Sequence, residues 1–294
     1  MLAYLNGQYI PYSQAAISVG DFGFTMGVTV TEQLRTFNGK PHLIQQHLDR
    51  LHEGLKLTGI KRPDQLAKIA NDLTQKNYAQ QASKSDLSLG ICMTPGQIRD
   101  PQGPTILIYN LELPFANWAD QYSAGMLLTT VETREIPGVS VPKQLKCRSR
   151  MHYYLAELQA SEKRAGSRAL LLDQSGNVAE ATTASVAIVK DEEIIAPPET
   201  DVLPSLAFEF SAKLATQLGI AVTRRTITLN ELKKADEVLW LSTPMCVLPV
   251  TQVDDSRVGT GEPGPVFSEL IDAWSNEVGL DIIAQAQTYS AKKP

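Results

Sequence analysis

Long hydrophobic runs are missing from this chain of 294 residues: no apolar stretch reaches the length of a membrane span. The opening Met-Leu-Ala-Tyr-Leu-Asn-Gly-Gln also lacks the basic and apolar regions of a signal peptide. A soluble, unexported protein is expected. Cysteine is scarce as well. Cys92, Cys147 and Cys246 are odd in number, widely separated and without paired spacing, which argues against a disulfide framework or a zinc site and for a reducing cytoplasm. Histidine is limited to four residues, and the five-residue steps from His42 to His47 to His52 spread those rings around a helix instead of gathering them on a metal. An excess of positive charge is absent too. A net charge of -5 leaves no general attraction for phosphate backbones, so nucleic acid is not the expected partner. No internal repeat is visible.

What remains is ordinary globular composition, 43% hydrophobic and 20% charged, enough for a large core in one domain or two. Short apolar or alternating runs interleave with helical stripes, the pattern of mixed α and β structure. Ile44, Leu48, Leu51 and Leu55 recur at helical spacing, so 42–57 reads as an amphipathic helix, after a turn Phe-Asn-Gly-Lys at 37–40 that joins two strands. Leu87 to Met93 and Thr105 to Leu113 read as strands of one sheet. The segment Leu-Pro-Phe-Ala-Asn-Trp-Ala-Asp at 113–120 breaks the pattern before a new strand at 126–132. The expected division is therefore a small domain 1–114, a linker 115–125 and a large domain 126–294.

In the second part a helix is expected around 149–164, then a strand at 168–173, a turn Gln-Ser-Gly-Asn at 174–177 and a further arm at 185–189. Ser205 is placed to cap a helix carrying Leu206, Phe210, Leu214 and Leu218 that stops at Gly219, and Phe267, Leu270, Ile271 and Trp274 mark another. The fold class read from this order is α+β with two domains. The run from Gly259 to Gly264 is glycine-rich but has prolines and no following lysine, so it reads as a connection and not as a phosphate loop.

Several motifs, taken in order, resemble one family. Asn6-Gly7 and Asp-Phe-Gly-Phe-Thr-Met-Gly-Val-Thr-Val-Thr-Glu-Gln-Leu-Arg-Thr-Phe at 21–37 resemble its opening strands, and His47-Leu48-Asp49-Arg50-Leu51 its first helix. Gln-Leu-Lys-Cys-Arg-Ser-Arg-Met surrounds Lys146. Leu-Leu-Leu-Asp-Gln-Ser-Gly-Asn-Val-Ala-Glu leads into Glu180, and Ala-Pro-Pro and Leu203-Pro204 follow. Together they are similar to the fold-type IV pyridoxal phosphate enzymes, which include branched-chain aminotransferases, D-amino acid aminotransferases and aminodeoxychorismate lyase.

A lysine amine can condense with a carbonyl, and a carboxylate beside a pyridine nitrogen keeps that ring protonated and therefore a better electron sink. The resemblance gives Lys146 the first role, together with the proton transfer at the substrate carbon, and Glu180 the second. It further implies Arg50 on the cofactor phosphate, whose dianion suits a guanidinium fork, with Ser242 and Thr243 and the amides of Leu206 and Ala207 completing the cup.

The departures concern substrate more than cofactor. The place five residues after the lysine, a tyrosine in branched-chain aminotransferases, is Met151, with Tyr153 and Tyr154 out of register. The residue after Thr243, whose backbone N–H binds the substrate carboxylate in those enzymes, is Pro244, which has none. Ser185, Ser205 and Thr31 replace an asparagine, a glycine and an aromatic residue. The loop 94–99 offers Arg99 but no histidine, unlike the D-amino acid enzymes. Arg148, two residues from Lys146, is a candidate carboxylate partner, or else half of a charge pair with an acidic neighbour. Cys147 reads as an inert small side chain. The implied activity is amino transfer between an amino acid and a 2-oxo acid, with a pyruvate-eliminating lyase or a silent cofactor binder as alternatives. The resemblance also implies a homodimer with its active site between the two domains.

Overall fold

The computed structural model describes residues 1–99 and 103–291. The chain divides into two compact units, one of Met1–Leu113 with Gln144–Ser149, the other of Pro114–Lys143 with Arg150–Pro294. The first unit holds β1 (Leu2–Leu5), β2 (Gln8–Pro11), α1 (Phe22–Thr25), β3 (Val30–Phe37), β4 (Lys40–Pro41), α2 (Ile44–Thr58), α3 (Leu66–Gln80), β5 (Leu87–Thr94) and β6 (Thr105–Glu112). Its strands form one antiparallel sheet in the order β2-β1-β6-β5-β3-β4. Two Asn-Gly turns close hairpins at its margins. Asn6 and Gly7, and again Asn38 and Gly39, all have positive φ, the conformation a two-residue hairpin loop demands.

Leu89, Ile91 and Met93 alternate onto one face and meet Leu48, Leu51 and Leu55 of α2 and Leu73 of α3 in a single apolar cluster. The expected helix 42–57 starts at Ile44, because Leu43 is in the left-handed region and cannot continue it backwards; Gly59, also left-handed, ends it. The stretch 21–37, expected as strand, begins instead with α1, capped by the Asp21 side chain on the Gly23 N–H. Helix α3 is hidden in the sequence because its buried positions include Thr74 and Asn77. Asn77 bonds both the N–H and the C=O of Leu2 and so fastens β1.

The second unit holds α4 (Gln121–Ala124), β7 (Met126–Arg134), α5 (Met151–Lys163), β8 (Arg168–Leu172), β9 (Val178–Ala181), β10 (Ser185–Lys190), β11 (Glu193–Ala196), α6 (Leu206–Gln217), β12 (Val222–Arg224), α7 (Leu229–Lys233), β13 (Glu237–Ser242), β14 (Cys246–Val253), β15 (Ser256–Arg257), α8 (Pro265–Val278) and α9 (Ile282–Ser290). The sheet runs β12-β11-β10-β13-β14-β7-β8-β9, with β15 on β14. An Ala181–Ala184 bridge ties β9 back to β10, so six of these strands curl into a closed ring. The segment 115–125 is no free linker: Phe115, Trp118 and Tyr122 are buried, and Tyr122 donates to the Met245 carbonyl within this unit. The large domain is not continuous either. Gln144–Ser149 is packed with the first unit, where Lys146 C=O accepts from Thr31 N–H at 2.8 Å.

Candidate active site

In the first unit, β3 and α2 bring together three charged side chains. Glu32 faces the helical layer, since it alternates with Val30 and Leu34, and it is fully buried. Arg50 donates to it from Nε at 2.7 Å and Nη2 at 2.8 Å, and His47 Nδ1 lies 2.6 Å from Oε2. Burial would push the Glu32 carboxyl up, but the Arg50 charge and the His47 and Arg50 hydrogen bonds hold it at about 2. The His47 ring is pushed down by burial, with Glu32 opposing that and the charges of Arg50 and Lys146 adding to it. Arg50 is thus fixed by a buried carboxylate at one edge of its guanidinium. Lys146 lies on the stretch that runs beside β3, and Arg148 follows, its N–H on Thr29 Oγ1 at 2.7 Å and its Nη2 on the Tyr109 hydroxyl at 3.2 Å. Among the described residues Arg148 has no acidic partner, so the charge-pair reading of this residue fails. Arg99 lies exposed in the loop after β5.

In the second unit, Glu180 ends a tight β8–β9 hairpin and is completely enclosed. Tyr153 of α5 donates its hydroxyl to Glu180 Oε1, and the Leu203 N–H reaches Oε2 at 3.4 Å. Burial, with the charge of Glu135 adding, pushes Glu180 up to about 7. Glu135 itself is held down, against burial, by His152 and by Lys143 at 2.7 Å. Tyr153 therefore takes part although the expected register excludes it, whereas Met151 projects into solvent at the start of α5. Ser242 closes β13, and its Oγ is buried without a partner among the described residues. Thr243, Pro244 and Met245 form the turn into β14. On α6, Ser205 caps the Phe208 N–H at 3.2 Å, while the helix has no acceptor of its own for the first-turn N–H groups of Leu206 and Ala207.

A model of the family described as amino-transferase class IV matches residues 29–253, most of the chain and all of the residues just described. The chain belongs to this family. Similar relatives include a putative branched-chain-amino-acid aminotransferase of Methanocaldococcus jannaschii, 27% identical over 92% of this chain and 94% of that one. A D-alanine aminotransferase of Bacillus licheniformis is 24% identical over 95% and 97%. Among solved structures, the branched-chain amino acid aminotransferase of Escherichia coli superposes with a TM-score of 0.86 at 21% identity, covering 94% of this chain and 93% of that one. A second bacterial branched-chain amino acid aminotransferase, solved with pyridoxamine 5'-phosphate, gives 0.84 at 22% identity over 94% and 93%. These likenesses establish the fold as type IV.

Class IV aminotransferases use pyridoxal 5'-phosphate, and the residues of this class IV chain fit that group. Glu180 is a buried carboxylate whose hydrogen-bond partners are a hydroxyl and an amide, a setting that a protonated ring nitrogen would complete. Ser242 Oγ is a buried hydroxyl without a partner among the described residues, and Arg50 is a pre-aligned fork, both suited to phosphate oxygens. Sequence reasoning misses Glu32, His47, Glu135, Lys143 and Tyr153. Their partners lie on other elements, so nothing in local spacing marks them. The one available signal for His47 and Arg50 is their three-residue step, which puts both on one side of α2.

Proposed function

We propose that this class IV aminotransferase moves an amino group from an amino acid to a 2-oxo acid and resembles the branched-chain enzymes in its reaction. When bound, the cofactor supplies the electron sink for the carbanion at the reacting carbon. Lys146 anchors the cofactor by its amine and carries the proton to and from that carbon. Glu180 keeps the ring nitrogen protonated, and Tyr153 holds its carboxylate. Arg50, steadied by Glu32, binds phosphate together with Ser242, Thr243 and the amides of Leu206 and Ala207. Arg148 serves the substrate carboxylate; Pro244, lacking an N–H, offers its turn no amide for that purpose.

The observation that carries this reading is Glu180, enclosed with no cationic hydrogen-bond partner among the described residues. Relatives named for branched-chain and for D-alanine transfer stand at nearly equal identity, 27% and 24%, so donor stereochemistry is left to experiment. The protein works as a homodimer, a reading supported by the outward stripe Met151, Tyr154, Leu155 and Leu158 on α5. Its free cysteines fit a cytoplasmic setting.

The test is the absorbance spectrum with added pyridoxal phosphate, for wild type and Lys146→Ala, followed by a panel of L- and D-amino acids. A lysine-dependent band that some amino acid converts to the pyridoxamine form is expected. A band indifferent to every donor would favour the pyruvate-eliminating lyase or a silent binder, and no band would overturn the assignment.

A further inference from the structure

We propose that Arg148 and Tyr109 form the subsite for a carboxylate of the substrate, on the face of the first unit's sheet turned away from α2 and α3; this rests on the aminotransferase reading above. Leu89, Ile91 and Met93 point into the helical layer, so Gly90 and Cys92 face the other way, and Tyr109 stands opposite Gly90 in the register. A side chain at residue 90 would run into the Tyr109 ring, so glycine there is what lets the ring lie across β5. Tyr12 backs that ring at a centroid distance of 6.0 Å.

Arg148 comes from the opposite side. Its backbone is pinned along β3 by its own N–H on Thr29 Oγ1 at 2.7 Å, by the neighbouring Lys146 carbonyl on Thr31 N–H at 2.8 Å, and by Ser149 Oγ on the Gly27 carbonyl. From there the guanidinium reaches Tyr109 at 3.2 Å. Because the tyrosine oxygen accepts that bond, its own O–H proton is directed elsewhere, and one anion can receive from the hydroxyl and the guanidinium together. Among the described residues no carboxylate neutralises Arg148, although the chain as a whole carries a net charge of -5. The thiol facing this arginine, Cys92, is pushed up by burial with the Arg148 charge opposing, so it stays neutral and does not compete for the cation. An exposed, backbone-anchored, unneutralised guanidinium two residues from the proposed reacting lysine is built to hold a carboxylate.

The test uses the cofactor-loaded enzyme and two unreactive acids, 4-methylpentanoate and glutarate, with dissociation constants measured by calorimetry. Arg148→Ala is expected to weaken binding roughly 10- to 100-fold, Tyr109→Phe by roughly tenfold or less, and Arg148→Lys to restore part of the loss. Equal losses for both acids identify the carboxylate beside the reacting carbon; a loss for glutarate alone identifies a distal carboxylate. Donation by cyclohexylamine, which has no carboxylate, should be spared in Arg148→Ala relative to amino acids. Both acids binding Arg148→Ala as tightly as wild type, with the cofactor band intact, would overturn the subsite. A missing cofactor band in wild type is a different failure, that of the aminotransferase reading, and acid binding to the same protein would still report on Arg148.

Discussion

Two buried glutamates carry opposite perturbations because their surroundings differ in charge. Glu32 meets an arginine and an imidazole and sits at about 2, whereas Glu180 meets a hydroxyl, an amide and the field of Glu135 and sits at about 7. The lowered group adds stability above the ordinary glutamate value of 4.5 and loses it as pH falls towards 2. The raised group favours the folded cofactor-free protein below 4.5, and that contribution is lost as pH rises through about 7. The stability of cofactor-free wild type relative to Glu180→Gln should therefore decline between those two values; a difference that is flat with pH in urea titrations would contradict the assignment. Glu32→Gln leaves Arg50 and His47 facing an uncharged group, and a loss of about 3–5 kcal/mol is expected in the same titrations. Lys146, Glu180 and Arg50 are legible because each stands in a recognisable run. Glu32 and Tyr153 are not, since each acts through a residue 18 or 27 positions away.

Among the elements, α5 shows most clearly how one stretch of sequence serves two surfaces. Tyr153 turns inward to Glu180, while Met151, Tyr154, Leu155 and Leu158 face out, a spacing of three, one and three that makes one apolar stripe. The periodicity reveals the helix but not which side is covered. Helix α8 depends on a contact of the same kind. Glu237, on β13, accepts the N–H groups of Val266 and Phe267 at 2.8 and 2.9 Å and so caps a helix that has no side-chain cap of its own. Gly264 sits so close to that carboxylate that a methyl group there would displace it. Gly264→Ala should cost about 1–3 kcal/mol, read as a lower midpoint in thermal unfolding monitored by circular dichroism. An unchanged midpoint would show that α8 does not need Glu237.

For the whole molecule, the proposed homodimer gives a direct check. Leu155→Glu places a charge in the middle of the outward stripe and should shift wild-type dimers to monomers in sedimentation velocity; an unshifted dimer would move the interface off α5. Sequence by itself determined the alternation of strand and helix, the two Asn-Gly hairpins, the caps at Ser205 and Gly219, and the motif order that places the chain among class IV aminotransferases, because each is written within a few neighbouring residues. Tertiary structure alone decided that 115–125 is packed and not a linker, that Gln144–Ser149 joins the first unit, and that Glu32, Tyr153 and Tyr109 stand beside charged residues remote in sequence. Those outcomes depend on which strand faces pair and which helix covers them, and a residue's neighbours along the chain carry no record of that choice.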